Sequence, residues 1–106
     1  MAANLKRTTS AINNTRTLIH TAVEGVQTIL IGGFVSNKDA TEAYRGVTIE
    51  IQKLDGTYVV LIKDAVVAVG GSLVIPKLVM DPWDKLYMTA DVSGVLETHI
   101  SYVEKT

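Results

Sequence analysis

Short runs of apolar residues, separated by turn residues, recur along the whole 106-residue chain. The alternation is clearest over residues 47–53, where Val47, Ile49 and Ile51 alternate with polar side chains, and it recurs over 85–90 and 96–102. A period of two residues is typical of a strand with one buried face and one solvated face. Further strand candidates lie at residues 15–22, 26–35, 58–63, 66–69 and 72–80. The spacing predicts roughly seven or eight strands.

Glycine, proline and aspartate mark the breaks between these runs. Asp55-Gly56 predicts a β-hairpin turn, and Gly70-Gly71 and residues 81–84 also predict turns. Gly32-Gly33, inside an apolar run, indicates a bulge or a close backbone approach. Pro76 cannot donate to a strand ladder, so it indicates a sheet edge, a kink or a change of sheet. Residues 58–63 are apolar on both faces, so we expect that strand to be central or covered.

The elements predict an all-β protein, a two-sheet antiparallel β-sandwich. A jelly-roll-like arrangement is favoured because Pro76 and the polar segment 36–46, which we interpret as a loop, suit strands that change sheets. Residues 1–16 are rich in Thr, Ser and Asn, with Leu5 and Ile12 as isolated apolar positions. We expect this segment to be an N-terminal arm or an edge strand, and residues 17–106 to form a single domain.

Composition suggests that part of the apolar surface meets another subunit. Hydrophobic residues make up 47% of the chain, and the mean hydropathy is +0.25. A domain of this size has a limited interior, so we expect a homo-oligomer, for example a trimer. The net charge of −1 argues against a nucleic-acid partner. The chain has no cysteine, no run of about 20 apolar residues and no secretory pattern, so we expect no membrane partner and synthesis in cytoplasm.

Candidate chemistry is sparse, and we expect no enzyme. No nucleophile, base and oxyanion site occur together, and His20 and His99 lack a second metal ligand at a suitable spacing. Asp81 and Asp84 suit turn capping better than calcium binding, so no metal or cofactor is expected. Trp83, the sole tryptophan, follows Pro82 in a turn. It is interpreted as a sugar-stacking platform, an interface anchor or a plug that closes one end of the sandwich. The interface candidates are Leu5, Ile12, Tyr44, Pro82 and Trp83.

The second half of the chain carries a pattern of strands and turns that resembles small virion proteins of tailed bacteriophages. The pattern comprises Gly56-Thr57-Tyr58, Lys63-Asp64-Ala65-Val66, Val69-Gly70-Gly71-Ser72-Leu73, Lys77-Leu78-Val79-Met80, Asp84-Lys85-Leu86 and Ser101-Tyr102-Val103-Glu104. With the N-terminal segments, the resemblance covers about 80 residues. It departs at Pro82-Trp83, where such proteins have a small or acidic residue followed by glycine.

The resemblance implies a non-enzymatic protein of the virion, made in the host cytoplasm. It would bind the major capsid protein as a decoration or cement protein, or other virion proteins as a neck, collar or tail component. The N-terminal arm would serve as a strap that adds a strand to a neighbouring subunit. The alternative is a carbohydrate-binding attachment module that uses Trp83 and a tyrosine.

Overall fold

The computed structural model describes residues 4–38, 44–68 and 70–105. Within these ranges the chain forms nine strands and no helix. The strands are β1 (Asn4–Ile12), β2 (Thr17–Thr21), β3 (Gln27–Asn37), β4 (Tyr44–Gln52), β5 (Tyr58–Ala68), β6 (Ser72–Val74), β7 (Leu78–Met80), β8 (Lys85–Ala90) and β9 (Leu96–Lys105).

The strands form two antiparallel sheets. The first sheet has the order β1-β9-β3-β6, with β7 also paired to β3, and the second has the order β2-β8-β4-β5. Apart from the β4–β5 hairpin and the β6–β7 pair, consecutive strands lie in opposite sheets. This interleaved order is that of a jelly roll. The predicted all-β, two-sheet sandwich is confirmed.

Nine strands are described where seven or eight were predicted, because β1 forms a strand of its own. Candidate 72–80 is divided at Pro76, and candidates 58–63 and 66–69 join in β5. β6 and β7 both pair with β3, and between them the Ile75 N–H donates to the Gly33 carbonyl at 2.9 Å. Proline has no N–H with which to continue the ladder. Pro76 therefore breaks a strand at the edge of the first sheet and does not transfer it to the second.

The core lies between the two sheets and follows the alternation seen in the sequence. On β4, Val47, Ile49 and Ile51 point inward, as predicted, and on β9 the inward residues include Leu96 and Ile100. The most deeply buried large side chains are Ile12, Leu30, Val35, Val47, Ile49, Val67, Ile75, Met80, Leu86, Met88, Leu96 and Ile100. Burial of these side chains is the main favourable term in folding.

Gly32 and Gly33 combine both features predicted for them. The register of β3 against β9 shifts between Leu30 and Gly32, which marks a bulge. A Cβ on Gly33 would lie 2.9 Å from the His99 carbonyl oxygen. Glycine at position 33 therefore allows β3 and β9 to approach closely in the first sheet.

The predicted turns also form. Gly56 has φ +91 in the hairpin, where the Lys53 N–H donates to the Thr57 carbonyl at 2.8 Å. Gly70 has φ +72, and the Gly71 N–H donates to the Ala68 carbonyl at 2.9 Å. These left-handed conformations suit glycine because it carries no Cβ.

β5 differs from its prediction. It ends the order of the second sheet, and Val59, Val60, Leu61 and Val66 are exposed. The expectation of a central or covered strand was wrong because apolar residues on both faces do not specify which strand becomes the edge. β5 also runs through Asp64 to Ala68, beyond the predicted end at Lys63.

The observed strands differ from the predicted limits of the N-terminal segment and of the loop at 36–46. β1 pairs with β9 along its length, from Asn4 opposite Glu104 to Ile12 opposite Leu96, so residues 4–12 form an edge strand of the first sheet. The segment 36–46 was interpreted wholly as a loop, yet Ser36 and Asn37 belong to β3 and residues 44–46 belong to β4. Residues 39–43 lie outside the described residues.

Candidate interaction surfaces

The outer surface of the first sheet carries an apolar face, defined here as Leu5, Ile29, Phe34, Val74, Val79 and Val103. Directly paired residues on antiparallel strands project from the same side of a sheet. Leu5 pairs with Val103, Val103 with Ile29, and Ile29 with Val79, so one apolar row crosses β1, β9, β3 and β7. A second row continues from His99 to Phe34 and Val74.

The apolar face is well exposed and partly held in place by side-chain contacts. Leu5, Val74 and Val79 are 58%, 74% and 56% exposed. The His99 ring stacks on Phe34 at 5.6 Å between centroids, and His99 Nδ1 shares a 2.8 Å hydrogen bond with Thr9 Oγ1. Four strand positions about 4.8 Å apart, each about 30 Å long, give the outer surface of this sheet an area of about 600 Å². The apolar face shares that surface with polar residues of β1, including Arg7 and Thr9.

A second apolar surface is the β5 edge, defined as Val59, Val60, Leu61 and Val66. β5 has no strand partner on its outer side among the described residues. Its pairing with β4 shifts register twice, and Asp64 has φ 50. The Asp64 N–H donates to Thr48 Oγ1 at 3.1 Å. Such bulges and the charged residues Lys63 and Asp64 protect a sheet edge against indiscriminate pairing.

The turn at residues 81–84 is fastened to the hairpin of the second sheet. The Asp84 N–H donates to the Asp81 carbonyl at 3.0 Å, and Asp84 Oδ2 accepts from the Asp81 N–H at 3.0 Å. Lys53 Nζ lies 2.7 Å from Asp84 Oδ2 and 3.4 Å from Asp81 Oδ2. The hydrogen bond to Asp84 is the main cause of a raised Lys53 pKa, so the ammonium charge is retained to higher pH. Asp84 therefore serves the turn, as its aspartate pattern predicted.

Trp83 occupies the third position of this turn with φ 72, and its side chain is 44% exposed. The Trp83 N–H donates to the Ala22 carbonyl at 2.8 Å, and the Ala22 N–H donates to the Asp84 carbonyl at 2.9 Å. These two bonds fix the turn against the chain that follows β2. The indole lines an open pocket of about 210 Å³ with Gln52, Lys53, Leu54, Gly56 and Lys85.

An aromatic and charged cluster on the outer surface of the second sheet was missed by sequence reasoning. The Arg16 guanidinium binds Glu50 through two hydrogen bonds, 3.1 Å from Nε to Oε1 and 3.2 Å from Nη2 to Oε2. Arg16 Cζ also lies 3.7 Å from the centroid of the Tyr58 ring, which is 6.0 Å from the Tyr87 ring. Glu50, expected on a solvated face, is buried because Arg16 covers it. Residues distant in sequence meet here because β8, β4 and β5 are neighbours.

The structure distributes the five interface candidates over different environments. Leu5 belongs to the apolar face, whereas Ile12 is fully buried, so the selection of Ile12 as an interface residue does not fit its position in the core. Pro82 is partly buried and Trp83 half exposed in the same turn. The backbone of Tyr44 pairs with Ala68, and its side chain lies outside the described residues.

His20 connects the two sheets at one end of the sandwich. Its ring lies 4.3 Å from the Tyr102 ring between centroids, and Nε2 shares a 3.2 Å hydrogen bond with Thr28 Oγ1. Burial lowers the pKa of His20 below its ordinary value. These contacts give His20 a packing role between the sheets.

Within residues 4–38, 44–68 and 70–105, no three His, Asp or Glu side chains gather closely enough to hold a metal ion. The same part of the chain contains no helix with the length and hydrophobicity needed to cross a membrane.

No family model and no curated protein matches this chain. A solved structure described as Bacillus endospore appendages that form a family of disulfide-linked pili is similar, with a TM-score of 0.62 and 14% sequence identity. The similarity covers 99% of this chain and 87% of that one. At this identity the likeness supports the jelly-roll sandwich fold.

Proposed function

We propose that this protein is a non-enzymatic structural subunit that assembles with copies of itself through the apolar face. The observation that carries the proposal is the unbroken apolar row from Leu5 through Val103 and Ile29 to Val79. A fold similar to that of pilus proteins supports a role in repeated subunit contacts. The chain has no cysteine, so its assembly would be non-covalent where those pili are described as disulfide-linked.

The size of the apolar face suits such a contact. Two outer sheet surfaces of about 600 Å², with their polar residues included, would bury about 1,200 Å² in total, at the lower limit of stable protein interfaces. Apolar burial contributes about 25 cal/mol per Å², and symmetry repeats the contact in every subunit. A moderate pairwise affinity therefore suffices for a stable particle of many copies.

The β5 edge offers a second contact on the opposite sheet. A subunit with two different apolar surfaces can associate head to tail, which closes into a ring or extends as a filament depending on the rotation between copies. The apolar face and the β5 edge lie in different sheets, so one subunit could use both at once.

The more specific proposal is a virion role as a capsid decoration or cement protein, with a neck, collar or tail component as the alternative. The resemblance of residues 56–104 to small bacteriophage virion proteins supports it. Jelly rolls also occur in viral capsid proteins. The partner would then be the major capsid or neck protein. A strap role for the N-terminal segment would use the outer edge of β1, because its inner edge pairs with β9 along its length.

Solution size tests the assembly. Val79→Lys places a charge in the apolar face, whereas Val92→Lys makes the same change at an exposed position 39% accessible outside the face. We expect sedimentation velocity over a concentration series to show an oligomer for the wild type and for Val92→Lys. Val79→Lys should raise the dissociation constant about 100-fold or more, the equivalent of about 2.7 kcal/mol. A monomeric wild type, or equal effects of both variants, would contradict the proposal.

Mass spectrometry of purified phage particles tests the virion role separately. A number of copies per particle in fixed ratio to the major capsid protein supports decoration. A small number of copies, as in a single ring of subunits, supports the neck or tail. Absence of the chain from particles of a phage that encodes it would overturn the virion role and leave self-assembly standing.

A further inference from the structure

Trp83 occupies a backbone conformation in which a tryptophan is costly. In the turn from Asp81 to Asp84, Pro82 is followed by Trp83 with φ 72. Proline at the second position and a positive φ at the third are the features of a type II turn, where glycine is the usual third residue. In this left-handed conformation a residue with a Cβ is strained by the contact of that Cβ with the following carbonyl oxygen. Glycine would make the same turn without that cost, so the indole itself requires an explanation.

The indole forms one wall of the open pocket where the 81–84 turn meets the β4–β5 hairpin. Trp83 is 44% exposed, so much of the ring is available to a ligand. Gln52 and Lys85 are paired on adjacent strands and line the same pocket, which holds about 210 Å³. Pockets for drug-sized ligands begin at about 300 Å³, so this pocket suits one small ring.

The two lysines that line the pocket differ in their partners. Lys53 is already bound by Asp84 at 2.7 Å and by Asp81 at 3.4 Å. Lys85, in contrast, forms no ion pair with any residue that the structure describes. Within the described residues, the pocket therefore presents an unpaired ammonium group, a carboxamide and an exposed aromatic ring.

We propose that Trp83, Lys85 and Gln52 form a binding site for an acidic pyranose, such as one hexuronate residue of a polysaccharide. The apolar C–H face of the sugar would stack on the indole, the sugar carboxylate would pair with Lys85 Nζ, and Gln52 would hydrogen-bond a ring hydroxyl. One flat apolar contact and a few placed polar groups are the usual composition of a small-ligand site.

The neighbouring surface can accommodate further sugar residues. The row that contains Lys85 and Gln52 continues to Tyr58 on β5. Tyr58 lies beside Tyr87 and beneath Arg16, whose charge is balanced by Glu50. A chain of sugars extending from the pocket would meet these rings, while Lys85, which has no ion pair among the described residues, supplies the positive charge.

The site is separate from the apolar face, which lies on the other sheet. Trp83 is the only tryptophan, so fluorescence excited at a wavelength that tyrosine does not absorb reports on the indole at the pocket. The titration uses the full chain with a galacturonate trimer, the corresponding galactose trimer and a triglutamate peptide. We expect a saturable fluorescence change with the galacturonate trimer and no change with the other two.

Variants locate the contacts. Lys85→Met should raise the dissociation constant for the galacturonate trimer about tenfold or more, whereas Lys77→Met, at an exposed lysine outside the pocket, should leave it unchanged. Trp83→Gly suits the left-handed turn, so it should remain folded by circular dichroism and lose binding in saturation-transfer NMR.

Absence of a saturable signal from the galacturonate trimer would overturn the site. Equal binding of the galactose trimer would remove the role of the carboxylate, and equal binding of triglutamate would identify a peptide site instead of a sugar site. Wild-type affinity in Lys85→Met or Trp83→Gly would show that the ligand binds elsewhere. Each of these results contradicts the proposal whether or not the protein assembles.

Discussion

Replacing Gly33 with alanine tests the close approach of β3 and β9, on which the first sheet depends. A Cβ at position 33 would lie 2.9 Å from the His99 carbonyl oxygen, 3.0 Å from Ile100 Cγ2 and 3.3 Å from Ile100 Cα. Ordinary van der Waals contact begins at 3.4 Å, so the closest atom would have to move by 3.4 − 2.9 = 0.5 Å. Two of the three atoms belong to the backbone of β9, whose ladder with β3 resists that shift.

We expect Gly33→Ala to lower the free energy of unfolding by about 1–3 kcal/mol, the usual cost of overpacking. Gly32→Ala is the matched control, because a Cβ there meets no atom within 4 Å. That variant should lie within about 0.5 kcal/mol of the wild type, or be more stable by up to about 1 kcal/mol because alanine restricts the unfolded chain. Both glycines lie at the same bulge, so the pair isolates the steric contact.

Urea unfolding followed by circular dichroism at one low protein concentration measures both variants. A difference of 1 kcal/mol corresponds to a shift of about 4 °C or more in thermal midpoint for a domain of this size, which provides a second readout. The reasoning would be refuted if Gly33→Ala unfolded at the same urea concentration as the wild type, or if Gly32→Ala cost as much.

Two further predictions concern buried polar groups. Arg16→Met should lower the free energy of unfolding more than Lys6→Met does. The first variant leaves Glu50, only 7% exposed, without its cation, whereas the second breaks the more exposed pair with Glu104. Equal losses in urea unfolding would contradict this. Burial lowers the pKa of His20 below 6.5, so the folded state binds fewer protons than the unfolded state just below that pH. Stability should be complete above pH 6.5 and decline as the pH falls below it, and His20→Asn should reduce that slope; an unchanged slope would exclude His20 as its source.

The predictions about local geometry succeeded where the signal was contained in a few neighbouring residues. Asp55-Gly56 specified a hairpin because glycine tolerates the positive φ that the turn requires. Gly32-Gly33 specified a bulge and a close approach for the same kind of reason. The alternation of Val47, Ile49 and Ile51 identified the inner face of β4 because side chains of a strand point alternately to its two sides.

The place of each strand within its sheet could not be predicted from signals in neighbouring residues. Residues 58–63 are apolar on both sides, and that pattern fits both a covered strand and an edge strand intended for an interface. The structure makes β5 an edge. Residues 26–35 are also apolar on both faces of their strand, and the structure turns Ile29 and Phe34 outward while Leu30 and Val35 are buried. A two-sided apolar strand in a small domain can thus be an edge strand with exposed apolar side chains, as β5 is.

The sequence by itself determined the all-β class, the turns and the inner face of the clearest strands, because each depends on local backbone preferences and on side-chain alternation. Only the tertiary structure decided which outer residues lie side by side. The apolar face joins Leu5 to Val79 through β9 and β3, and the aromatic cluster joins Arg16 to Tyr58. Both depend on strand order, which is set by the burial of all strands together. The placement of the Trp83 turn belongs to the second class too, because bonds to Ala22 hold it against the chain that follows β2.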